Sequence, residues 1–102
     1  MDTSMSTPDQ SFYFDVKKGE EFEVKLDSIP SSGAIWYVTL PSNGPELIKQ
    51  ESETRTPGIG GTTTQKFVFR CHQPGTYQLN FELKRAWENQ VRRQATATIQ
   101  VD

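Results

Sequence analysis

Apolar and polar residues alternate with a period of two along most of this chain. Phe12, Phe14 and Val16 are interleaved with Tyr13 and Asp15, and Phe22, Val24 and Leu26 with Glu23 and Lys25. Trp36, Val38 and Leu40 fall on one face, with Tyr37 and Thr39 on the other. Segment 46–52 is a weaker candidate, because Leu47 and Ile48 are adjacent. Phe67, Phe69 and Cys71 share a face. Tyr77, Leu79, Phe81 and Leu83 alternate with Gln78, Asn80 and Glu82, and Ala95, Ala97, Ile99 and Val101 with Thr96, Thr98 and Gln100. Period two sends successive side chains to opposite faces of a strand. Strands with one apolar and one polar face suit an antiparallel sheet packed on one side only. The pattern predicts an all-β, immunoglobulin-like antiparallel β-sandwich of about seven to eight strands, Greek-key in type, with Trp36 in the core. In segment 84–93 only Trp87 and Val91 meet a helical spacing, so this segment reads as a loop.

The connections carry more information than the strands. Links 17–20, 41–45 and 72–75 are short and hold turn residues such as Lys-Gly, Asn-Gly-Pro and Pro-Gly. Links 28–34, 53–64 and 84–93 are longer. If successive strands run up and down, the short links share one end of the sandwich and the long links the other. Long loops in compact domains are usually functional. Strand parity therefore predicts a binding edge made of three loops.

The first loop contains Pro30, Ser31, Ser32, Gly33 and Ala34 after Ile29. Proline fixes its own φ and biases the residue before it, and glycine accepts a positive φ. The tip is narrow and stiff, suited to entering a cleft; an ordinary turn has the same composition. The second loop contains Gly58, Ile59, Gly60 and Gly61, so its backbone can approach a partner closely while one apolar side chain protrudes. A plain flexible loop is the alternative. A phosphate loop does not fit, because no Lys-Ser or Lys-Thr pair follows. The third loop contains Arg85, Ala86 and Trp87, and tryptophan with arginine is the composition of an interface hot spot. Here the alternatives are that Trp87 folds back onto the core, or that Lys84, Arg85, Arg92 and Arg93 form a basic patch for phosphates or glycans.

Composition narrows the classes. With 102 residues there is room for one domain, and residues 12–102 are assigned to it. Residues 1–11 are polar and expected to be disordered. Val, Ile, Leu and Phe make up about a fifth of the chain and the net charge is −2, so a core is expected. One cysteine excludes an internal disulfide, and one cysteine with one histidine makes no common zinc site. No metal or cofactor is expected. Cys71 and His72 are neighbours and would point to opposite faces of a strand, so they form no catalytic dyad. The chain is not expected to be an enzyme. An acidic balance argues against nucleic acid, and no apolar run approaches membrane-spanning length. The absence of a visible signal peptide leads to an expectation of a cytoplasmic location; a vesicular, lysosomal or secreted one follows if a leader has been removed.

In order and spacing the three loops resemble those of the chagasin-like inhibitors of cysteine peptidases. That family's first loop reads Asn-Pro-Thr-Thr-Gly-aromatic, similar here at Pro30 and Gly33, with Ser31 and Ser32 for the threonines. Its Gly-x-Gly-Gly loop is matched by Gly58, Ile59, Gly60 and Gly61, and its Arg-Pro-aromatic loop by Arg85 and Trp87. Ile29, Ala34 and Ala86 depart from the pattern, standing for asparagine, an aromatic residue and proline. The resemblance extends from Phe12 onward. It implies an immunoglobulin-like fold and a reversible, tight-binding inhibitor, monomeric when free. Its partner would be a papain-like cysteine peptidase, whose active-site cleft the loops occlude. The competing expectation is an adhesion or scaffold module of the same fold, using the same loops for a non-peptidase partner.

Overall fold

The computed structural model describes residues 10–28, 33–54 and 63–102. Among them run seven strands: β1 (Gln10–Val16), β2 (Glu21–Ser28), β3 (Ala34–Thr39), β4 (Glu46–Thr54), β5 (Thr63–Arg70), β6 (Gly75–Arg85) and β7 (Arg93–Val101). They form two sheets, a four-stranded one in the order β1-β7-β6-β3 and a three-stranded one in the order β2-β5-β4. The chain crosses between sheets at β1–β2, β2–β3, β3–β4 and β5–β6. It turns back within a sheet only at the β4–β5 and β6–β7 hairpins. All pairings are antiparallel except β1 with β7, where Gln10 faces Ala95 and Val16 faces Val101.

The alternation in the sequence becomes the two-layer core. Along β2, Phe22, Val24, Leu26 and Ser28 are buried and the intervening residues exposed. On β7, Ala95, Ala97, Ile99 and Val101 point inward. All six phenylalanines join in one chain of ring contacts. Phe12 meets Phe14, Phe14 meets Phe22 at 5.4 Å, and Phe22 meets Phe69 at 5.5 Å. Phe69 then meets Phe67 and Phe81. This chain runs from β1 through β2 and β5 to β6 and so joins both sheets. Such pairs add about 0.5–1.5 kcal/mol each to the burial of their area. Trp36 is 1% exposed, as expected of the core tryptophan.

Several boundaries differ from the sequence reading. β1 starts at Gln10, so Gln10 and Ser11 belong to a strand; residues 1–9 lie outside the described part. Lys84 and Arg85, expected in a loop, extend β6, because Ile35 and Ala34 on β3 continue to pair with them. Arg93 likewise opens β7 opposite Leu83. Leu40 lies beyond β3 and is 37% exposed, so the face shared by Trp36 and Val38 ends there. The adjacency of Leu47 and Ile48 has a structural cause. The β4–β5 register shifts between Leu47 and Lys49, a bulge that leaves Leu47 half-buried and Ile48 exposed. β4 is an edge strand, and bulges are common at sheet edges.

Candidate functional site

The ends of the three long links converge. On the three-stranded sheet Ser28 pairs with Thr63, which also pairs with Thr54, so the 28–34 and 53–64 links leave side by side. On the other sheet Ala34 pairs with Arg85, bringing the 84–93 link to the same end. The indole nitrogen of Trp36 donates to the Asp27 carbonyl at 3.0 Å and ties the two sheets together just below these exits. The short links occupy the opposite end. There the Lys18 amide donates to the Asp102 carbonyl and the Gly19 amide to the Cys71 carbonyl.

A polar frame, buried at Thr64 and Gln65 and exposed at Asp27, lies under the loop exits. Thr64 Oγ1 donates to Asp27 Oδ1 at 2.7 Å. The Gln65 side chain, 3% exposed, accepts from the Trp36 amide at 2.9 Å and donates to the Trp36 carbonyl at 3.3 Å. Amide and carbonyl of one strand residue point the same way, so these two groups face the open edge of β3. The Gln65 amide therefore stands where a neighbouring strand would. It locks β3, which the first loop enters, onto β5, which the second loop enters. Neither Asp27, Thr64 nor Gln65 was singled out from the sequence. Gln65 left a readable signal: it is in phase with Phe67 and Phe69, a polar residue at a core position, and such a residue must find partners.

The third loop is a short turn with one large exposed side chain. The Glu88 amide donates to the Arg85 carbonyl at 3.1 Å, closing a turn whose central residues are Ala86 and Trp87. Neither of these has a positive φ, as in a type I turn. Trp87 is 73% exposed and does not fold back onto the core. Its ring lies against the first loop instead. A Cβ built on Gly33 would come within 3.2 Å of Trp87 Cη2, and Gly33 has φ +80°. Glycine is thus favoured at position 33 by its backbone conformation, and a side chain there would also press the indole to give by a few tenths of an ångström. The Arg85 guanidinium lies 6.0 Å from the Trp87 ring centre.

The four basic side chains around this loop have different partners. Lys84 lies over Tyr37 and Arg93 over Trp36, whereas Arg85 and Arg92 both reach the Glu88 carboxylate, at 3.5 and 3.2 Å. One carboxylate thus serves two of the four cations, and the other two lie over rings.

Of the residues expected at the site, Gly33, Arg85, Ala86 and Trp87 meet at this end. Ala34 is placed differently. As the first residue of β3 it is fully buried, so it supports the tip and offers no contact surface. Pro30, Ser31, Ser32, Gly58, Ile59, Gly60 and Gly61 lie outside the described residues.

The family model described as chagasin family peptidase inhibitor I42 matches residues 15–101. The chain belongs to the chagasin family of peptidase inhibitors. Three solved structures share the fold of this chagasin-family chain. One is the cysteine protease inhibitor EhICP2 from Entamoeba histolytica, 14% identical, with TM-score 0.73 over 91% of this chain and 95% of that one. The second is PbICP-C, solved in complex with falcipain-2, 15% identical, with TM-score 0.65 over 99% and 93%. The third is amebosin, 22% identical, with TM-score 0.61 over 93% and 90%. No curated protein sequence is a significant match.

Membership of an inhibitor family sets aside both the enzyme reading and the general adhesion module. The chagasin-family chain agrees in its own chemistry. Cys71 is buried and its thiol donates to the Gln73 carbonyl at 3.3 Å, while His72 is exposed, so the two do not act together.

Proposed function

We propose that this chain inhibits papain-like cysteine peptidases by filling the active-site cleft with the loop edge, without reacting. The observation that carries the reading is the exposed indole of Trp87 seated against Gly33, at the end where the exits of all three long links meet. An apolar ring this exposed, held from behind, is an anchor awaiting a pocket. The family match and the structural likeness to inhibitors, one of them solved in complex with falcipain-2, support the partner class.

In this reading Pro30, Ser31, Ser32 and Gly33 form a wedge over the catalytic cysteine, with Ser32 nearest its thiolate. Gly58, Ile59, Gly60 and Gly61 follow one arm of the cleft. Trp87 packs on the apolar wall of the other arm, and Arg85 hydrogen-bonds beside it. A stiff tip that keeps its carbonyl carbon out of line with the thiolate is not cleaved. The polar frame fixes the strand ends from which the loops spring and so lowers the ordering cost of docking, which lets an interface of about 1,600 Å² bind tightly.

The test is a titration of papain with the protein, following hydrolysis of a fluorogenic peptide, with a serine peptidase as control. Stoichiometric loss of papain activity alone is expected. Trp87→Ala is expected to weaken inhibition about 30-fold or more, the equivalent of about 2 kcal/mol, with little change in thermal stability. An unchanged inhibition constant would remove Trp87 from the contact.

A further inference from the structure

We infer that Glu88 is a positioning residue that holds Trp87 and Arg85 in their docking geometry, as an ionic strut inside the third loop. The inference rests on the reading of this edge as the peptidase-binding surface. Its physical basis is independent of that reading. Ala86 is the second residue of the turn closed by the Glu88 amide and the Arg85 carbonyl, the position where proline would preset φ. Alanine supplies no such restraint, so the backbone of this turn has more freedom to lose on docking.

The side chain of Glu88 makes up the difference. One carboxylate oxygen takes Arg85 Nη1 at 3.5 Å and the other takes Arg92 Nη2 at 3.2 Å. Arg85 lies before the turn and Arg92 after it. The Arg92 amide is itself fixed to the Leu83 carbonyl at 2.8 Å, at the end of the hairpin ladder. The carboxylate therefore spans the loop from its ascending to its descending arm. All three side chains are about one-third exposed, which screens the pairs less than at a free surface. Arg85 in turn lies beside the Trp87 ring. Removing the carboxylate takes one ion-pair partner from Arg85 and one from Arg92, and so loosens the span across the loop that carries the Trp87 ring.

Four proteins test this: wild type, Glu88→Ala, Ala86→Pro and the double variant. Two readouts are taken on each. One is the inhibition constant against papain. The other is the {1H}–15N heteronuclear NOE of the Trp87 indole N–H, which reports its fast motion without any peptidase. With two partly screened ion pairs lost, Glu88→Ala should weaken inhibition about 5- to 10-fold. It should also lower the indole NOE while leaving the thermal midpoint nearly unchanged. Ala86→Pro in the Glu88→Ala background should restore both, because it supplies order by a different route. Raising sodium chloride from about 50 to about 500 mM should lower the NOE in wild type but not in Glu88→Ala. An unchanged NOE in Glu88→Ala overturns the inference. So does weaker inhibition that Ala86→Pro cannot restore, since that marks a direct contact between Glu88 and the peptidase. If wild type does not inhibit yet the NOE falls and is restored as described, the strut stands and the peptidase reading falls.

Discussion

Replacing Gln65 with leucine should be among the most costly single changes in this molecule that create no cavity. The two side chains have similar volume, so the packing beside Trp36 is filled. What disappears is the pair of hydrogen bonds to the Trp36 amide and carbonyl, 2.9 and 3.3 Å long. Both groups face the edge of β3, and with leucine in place water has no room to replace the amide. Each buried backbone group left unpaired costs about 1–3 kcal/mol. Some of this is offset, because leucine needs no desolvation of its own. A net loss of about 3 kcal/mol follows. For a chain of this size that lowers the thermal midpoint by about 15 °C. Thermal unfolding followed by far-ultraviolet circular dichroism and by tryptophan emission measures it. Gln65→Glu is the companion. Its carboxylate accepts from the amide but repels the carbonyl, whereas its protonated form serves both groups. Burial raises the folded-state pKa of the introduced acid, so its stability is full below the unfolded value and is lost as pH rises through the folded one. Gln65→Glu should therefore recover relative to wild type on acidification, and Gln65→Leu should not. A midpoint for Gln65→Leu within about 2 °C of wild type would refute the view that this side chain replaces a strand.

Two further outcomes are expected. Gly33→Ala forces a Cβ into a backbone with φ +80° and to 3.2 Å from Trp87 Cη2. It should cost about 1–2 kcal/mol of stability in chemical denaturation, and it should weaken papain inhibition by more than that loss accounts for, because the exposed indole is displaced. Asp15 has its pKa raised by a hydrogen bond to Asp102 and by the repulsion between the two carboxylates. The folded chain therefore holds this proton more tightly than the unfolded one, and the stability it gives at low pH is lost as pH rises through the raised value. Asp15→Asn should flatten the acid side of the stability–pH profile, and an NMR titration of the Asp15 carboxyl should show its midpoint above 3.8.

Most of the fold was legible because one period governs nearly every strand. Phe22, Val24 and Leu26, or Ala95, Ala97, Ile99 and Val101, can bury a common face in only one register. Parity alone set the long links at one end, since each pairing in the two sheets obeys it. What was not legible involves contacts between residues far apart in sequence. Gln65 signals by its phase with Phe67 and Phe69 that it needs partners, but that Trp36 supplies them shows only when β3 is placed beside it. Lys84 and Arg85 read as loop because their charge hides a pairing that β3 imposes. Ala34 reads as part of a tip, yet its register opposite Arg85 turns it inward. The exposure of Trp87 was undecided in the sequence, because tryptophan is as apt to cap a core as to dock a partner. Contact with Gly33 decided it.

The parallel pairing of β1 with β7 bears on how the molecule comes into being. Its partners, from Gln10 with Ala95 to Val16 with Val101, are separated by 85 residues throughout. The β4–β5 and β6–β7 hairpins close over short spans and can zip locally, whereas this ladder pays the largest loop-closure entropy of any in the structure. During synthesis β1 leaves the ribosome first and has no sheet to join until β7, the last strand, emerges. Until then Phe12 and Phe14 have only part of their final packing, and the growing chain carries β1 as an unpaired strand. The four-stranded sheet is thus sealed by the first and the last of the described strands meeting, and a product stopped short of β7 leaves both β1 and β6 without the neighbour they share.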